Sequence, residues 1–147
     1  IAIVNFSKEI RTEIVITTAA GAAGATDITG TAVDTQGYDG VQFEVAFGPI
    51  VAGAATSIKV QGSDDDSTYA DLAGTAQTVA DDADNKVFYV DIVRPLHRYL
   101  KLIVARATQN ATVGAALAHK YGPIKAPVTQ GTNVSGETHY SPAAGTA

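Results

Sequence analysis

Residues 86–107, KVFYVDIVRPLHRYLKLIVARA, constrain the fold of this chain more than any other stretch. Two apolar runs, Val87–Val93 and Tyr99–Ala107, flank a polar corner of Arg94, Pro95, Leu96, His97 and Arg98. β-Branched and aromatic side chains fill both runs, as suits a pleated, half-buried surface. Pro95 has no amide hydrogen and a fixed φ, so it belongs in the corner rather than in a ladder. In the second run Leu100, Leu102 and Val104 alternate with Tyr99, Lys101 and Ala105, which puts the leucine row on a core. Both runs are expected as central strands, on which no catalytic group stands out.

The rest of the chain reads as further strands cut by turns. Residues 13–19 are β-branched, and 26–33 alternate weakly. The turn signal Asp39-Gly40 leads into residues 41–47, where Val41, Phe43, Val45 and Phe47 share one face. Residues 48–56 read as a loop of small side chains and 57–62 as a strand with Ile58 and Val60 inward. Residues 69–72 follow the acidic loop at 63–68. Residues 112–120 fit a last strand better than a helix in this all-β context. Strands at short spacing, divided by Gly, Asp and Pro turns, predict an all-β sandwich of about eight antiparallel strands over residues 1–121. The apolar start, with Ile1, Ile3, Val4 and Phe6, is expected as an edge strand or as an arm on a neighbour. Residues 122–147 carry Pro123, Pro127 and Pro142 and little to bury, so an extended C-terminal arm is expected there. Val128, Val134 and Tyr140 are spaced along it like single anchors.

Composition narrows the chemistry. The 147 residues suffice for one domain, and no Cys, Met or Trp is present, which leaves no disulfide framework and no thiolate metal site. No apolar run approaches the roughly 18 residues of a membrane span, and the start is not expected to be a signal peptide. Residues 1–85 carry three Lys and Arg against thirteen Asp and Glu, a net of −10. Residues 86–147 carry seven against two, a net of +5. Two differently charged edges of one sandwich are expected, with a charge-complementary contact between copies as the alternative. The basic residues are interspersed with Leu, Ile and Ala, so nucleic acid is not an expected partner.

Asp64, Asp66 and Thr68 have the spacing of the first calcium-loop ligands, but Tyr69 and Thr75 stand where Gly and Glu are needed. A solvated hairpin turn is expected there, and likewise at Asp81, Asp82 and Asp84; a weak surface calcium site is the alternative reading. His97, His119 and His139 lie in different segments without ligand spacing, and there is no G-x-S-x-G elbow. The expectation is a protein with no enzymatic activity, no cofactor and no metal. Six tyrosines keep a sugar-binding or adhesion face as an alternative.

Four pieces of the chain carry a resemblance: GYDGVQFEVAFG at 37–48, SIKVQGSDDDSTYADLAGT at 57–75, DIVRPLHRYLKLIVARAT at 91–108, and KYGPIKAPV at 120–128 with the closing THYSPAAGTA. In this order they resemble a family of small head proteins of tailed bacteriophages, the capsid decoration or cement proteins. The resemblance covers most of the chain from Gly37 onward, and its motifs are structural. It implies a jelly-roll-like sandwich that sits on the outer capsid surface of the virion, made in the bacterial cytoplasm. The major capsid protein is the implied partner, and a homo-oligomer, a trimer before a dimer, the implied assembly. A tail structural protein is the competing assignment within the virion.

Overall fold

The computed structural model describes residues 5–147, so the expectations for Ile1, Ile3 and Val4 lie outside the described residues. A four-residue helix α1 (Phe6–Glu9) opens it, with Ile10 N–H donating to Phe6 O at 2.9 Å. Phe6 was expected in an edge strand or in an arm on a neighbour; it begins this turn rather than a strand, because the Asn5 carbonyl accepts from both Lys8 and Glu9 amides. Ten strand segments follow: β1 (Arg11–Ile16), β2 (Ile28–Thr29), β3 (Val33–Asp34), β4 (Gly40–Ile50), β5 (Ala55–Ser63), β6 (Ala70–Asp71), β7 (Gln77–Val79), β8 (Val87–Val93), β9 (Tyr99–Ala107) and β10 (Ala111–Tyr121).

All ladders are antiparallel and build two sheets, β1-β10-β4-β8 and β2-β9-β5-β6. β3 also pairs with β9, and β7 also pairs with β5. Counting β2 with β3 and β6 with β7 as interrupted strands leaves eight positions in the order 1-8-3-6 and 2-7-4-5. That is the strand order of a jelly roll, two packed antiparallel sheets. The expected eight strands are therefore eight ladder positions filled by ten segments.

The core lies between the sheets. Val41, Phe43, Val45 and Phe47 of β4 face Ile58 and Val60 of β5 and Leu100, Leu102 and Val104 of β9, all of them buried. β10 contributes Val113, Ala116 and Ala118, whose small side chains let the neighbouring rows approach. Phe47 and Phe88 meet edge to face at 5.5 Å between ring centroids.

Three expectations are corrected. The 48–56 loop shrinks to residues 51–54, because β4 runs on through Gly48 and Pro49 to Ile50. Pro49 is tolerated there because the β4–β10 register already shifts between Ala111 and Val113, so no regular ladder bond is lost. The 26–33 strand is split into β2 and β3. Most consequential, β8 is not central: it ends its sheet, paired on one side only, with β4. β9 does lie inside its sheet.

Candidate interaction surface

The two ends of the described chain meet along β1. Gly122, at φ 62°, turns the chain off β10; a Cβ there would stand 2.6 Å from the Asp39 side chain. Ile124 N–H then donates to Gly37 O at 2.9 Å, and Val128 N–H to Lys8 O at 2.8 Å. Gln130 fastens the crossing. Its Nε2 donates to Ile10 O at 2.8 Å and Ser7 O at 3.1 Å, while its Oε1 accepts from Thr12 N–H at 3.0 Å. One amide side chain thus satisfies three backbone groups of the α1–β1 junction, where an unmet group would cost about 1–3 kcal/mol if buried. Arg11 Nη1 donates to Thr129 O, and the Ser7 and Thr138 hydroxyls lie 2.6 Å apart.

Between these two segments runs an open groove of about 520 Å³, with Phe6, Lys8, Val128, Gln130, Val134 and Glu137 among its walls. Of the residues expected to mediate interactions, Phe6, Val128 and Val134 are brought together here. Phe6 is 55% exposed and meets the His119 ring edge to face at 5.7 Å. Tyr140, 85% exposed, lies past the groove and does not line it.

A second exposed apolar group stands on the opposite edge of the same sheet. Val87, Tyr89 and Val93 of β8 are 60%, 60% and 63% exposed, and Leu96 in the β8–β9 corner is almost fully so. Sequence pattern alone did not mark them. Asp91 marks their row as the outward one, but the alternation does not say that the strand ends its sheet. Nor did any signal distinguish Gln130, whose importance lies in the backbone groups it reaches.

The acidic segments organise loops. Asp65 Oδ1 accepts from Ser63 Oγ, Ser67 N–H and Thr68 N–H at 2.8–2.9 Å, and these donors, the Thr68 amide first, hold its carboxyl below the ordinary carboxylate value. Its neighbours diverge: Asp64 lies 3.0 Å from His97 Nδ1, and Asp66 accepts from the Tyr69 hydroxyl. Asp81 accepts from Gly53 N–H and Asp84 from Ile50 N–H, so the second acidic turn ties down the β4–β5 loop. His119 sits by Thr12 and Glu44, and His139 pairs with Glu137 in the tail, each apart from His97. Among the described residues no group of three or more His, Asp or Glu side chains is placed to hold a metal ion. No helix of the described residues is long and apolar enough to cross a membrane.

Compared with known proteins, the chain matches no family model and no curated protein.

Proposed function

We propose that this chain is a capsid decoration protein of a tailed bacteriophage, which binds the outer surface of the major capsid protein and clamps neighbouring subunits. It acts by binding alone, without a cofactor. The observation that carries the reading is the packing of residues 124–138 against residues 6–12 beside β1: a jelly-roll body presents Phe6, Val128 and Val134 in one open groove, with Tyr140 exposed outside it. A rigid sandwich with a proline-punctuated extended segment suits laying backbone and single apolar anchors across a subunit boundary, since the prolines reduce the freedom lost on binding. The resemblance of residues 37–128 to decoration proteins supports the same reading. A sugar-binding face is less well supported, because the two exposed tyrosines, Tyr89 and Tyr140, stand on different elements.

Co-sedimentation with undecorated heads of the encoding phage tests it. Saturable binding at a fixed number of copies per head is expected, together with a raised temperature of shell rupture. Deleting residues 126–147 is expected to weaken binding by at least roughly tenfold, a loss of about 1.4 kcal/mol. A chain that stays in the supernatant, or a truncated chain that binds as tightly as the full one, would overturn the proposal.

A further inference from the structure

We propose that two copies of this chain pair antiparallel along β8, joining their four-stranded sheets into one continuous eight-stranded sheet about a twofold axis.

The argument starts from which backbone groups are already used. Phe47 N–H donates to Lys86 O at 2.9 Å, and Arg94 N–H donates to Asp39 O at 2.7 Å. With the β4–β8 register, these bonds fix the alternation of an antiparallel ladder. Lys86, Phe88, Val90 and Ile92 bond to β4, so the backbone groups of Val87, Tyr89, Asp91 and Val93 point away from the sheet. Among the described residues only one of them has a partner: Tyr89 O, which accepts from Gln77 Nε2 at 2.7 Å.

The other exposed edges are closed or short. β1, at the far side of the same sheet, has its Thr12 N–H held by Gln130 Oε1 of the tail at 3.0 Å and its Val15 O by the Thr31 amide at 2.9 Å. In the second sheet the edge segments β2, β3, β6 and β7 are two or three residues long. β8 is seven residues long, pairs with β4 without a register shift, and contains no Pro, Lys or Arg. Natural sheets blunt exposed edges with such residues or with bulges, and an edge left straight and apolar is a template for another strand.

The sequence of β8 then selects its partner. With Val87 opposite Val93 of the other copy, Tyr89 falls opposite Asp91, and the whole strand is used. Each cross-strand pair is favourable: valine on valine at both ends, phenol beside carboxylate in the middle. Asp91 already accepts from Tyr121 O–H at 2.6 Å and keeps lone pairs for a second donor. Sliding the pairing by two residues in one direction sets Asp91 against Asp91; in the other it sets Val87 against Asp91. Arg94, at φ 51°, leaves the strand direction and ends the ladder. A strand that is its own complement in one register makes an isologous interface, which closes at two copies. With Thr12 N–H and Val15 O of β1 already bonded, a head-to-tail pairing of β8 on β1 would have to displace both. The inference stands apart from the capsid reading, since it concerns the free chain.

Light scattering on the purified chain across micromolar concentrations is expected to give the mass of two chains. The exposed pair Val87→Lys with Val93→Lys opposes like charges at both ends and is expected to give the mass of one chain, with the β spectrum retained. Val87→Lys with Val93→Glu opposes unlike charges at both ends of this register and is expected to restore the mass of two. Because the native chain has no cysteine, Val87→Cys with Val93→Cys gives an independent reading. The facing Cα atoms of a hydrogen-bonded pair stand about 5.5 Å apart, within disulfide reach. A mild oxidant should therefore yield a covalent dimer from the double variant and none from Val87→Cys alone. A wild-type mass of one or three chains, a lysine pair that stays dimeric, a Lys–Glu pair that does not recover, or cysteines that fail to cross-link would overturn the proposal.

Discussion

Arg106 continues the inward row of Leu100, Leu102 and Val104, and so places a guanidinium inside the end of the sandwich. It is met by carbonyls rather than by a carboxylate. Nε donates to Thr26 O, and Nη1 to Ala22 O and Ala111 O, each at 2.7 Å. Burial pulls its pKa down from the ordinary value, yet it stays the charged hub that holds the 20–27 loop onto β10. Arg106→Ala is expected to cost about 2–4 kcal/mol in denaturant unfolding, because buried carbonyls lose charged donors. Arg106→Lys should recover little, since an ammonium lacks the planar fork. Leu102→Ala is expected to cost about 2–5 kcal/mol by cavity formation. Lys101→Ala, which loses a contact of the ammonium 4.0 Å over the Tyr69 ring, should cost less than about 1 kcal/mol. Titration adds a further expectation. The Arg98 guanidinium holds Asp34 below its ordinary value of 3.8, as the loop amides do for Asp65. A lowered carboxylate stabilises the fold above its unfolded pKa and loses that contribution as pH falls through the folded one, so the unfolding midpoint should drop below about pH 4. Burial first, and then Asp91, push Tyr121 from 10.0 up to about 12. This group works in the opposite sense: its contribution is complete below pH 10 and is lost as pH rises towards 12. A pH series of thermal unfolding curves checks both limbs.

At the scale of elements, legibility followed the asymmetry of each strand's two faces. β4 alternates apolar with Gln42, Glu44 and Ala46, and β9 sets Lys101 against leucines, so both inward rows could be read from the sequence. β8 has Phe88, Val90 and Ile92 on one face and Val87, Tyr89, Asp91 and Val93 on the other, an alternation that a central strand and an edge strand share; only topology separates them. β2 and β3 serve the same neighbour, β9; Gly30 N–H still follows the β2 register to Leu102 O, and the break comes at Thr31, whose N–H turns to Val15 O before β3 resumes one residue out of register. The tail was legible as extended, but its attachment was not, because three of its bonds belong to Gln130. Gln130→Ala should free the crossing with little effect on the core. Limited proteolysis is expected to cut within residues 126–147 at least about tenfold faster, while the unfolding midpoint moves by no more than about 1 kcal/mol of stability. Unchanged protection would mean that Arg11, Ser7 and the Val128 amide suffice.

For the whole molecule, the jelly-roll order explains how a chain with a −10 half and a +5 half closes on itself. The wrapping sets late strands beside early ones, so Arg98 meets Asp34 bidentately, Lys120 meets Glu13 at 2.9 Å, and His97 meets Asp64. Part of the charge asymmetry is therefore satisfied inside one copy, and less of it remains as contrast between two edges than the sequence suggested. What the fold leaves unused is apolar: the groove at Phe6, Val128 and Val134 along β1, and the open edge of β8 on the opposite side. The proposed decoration role would use the first of these two surfaces, and the proposed pairing of copies the second. The direct test of that role is cryo-electron microscopy of heads assembled with and without this chain. The account predicts added density of a two-sheet sandwich on the outer capsid surface, with residues 122–147 running onto a major capsid subunit. Heads that are identical in the two preparations would contradict it.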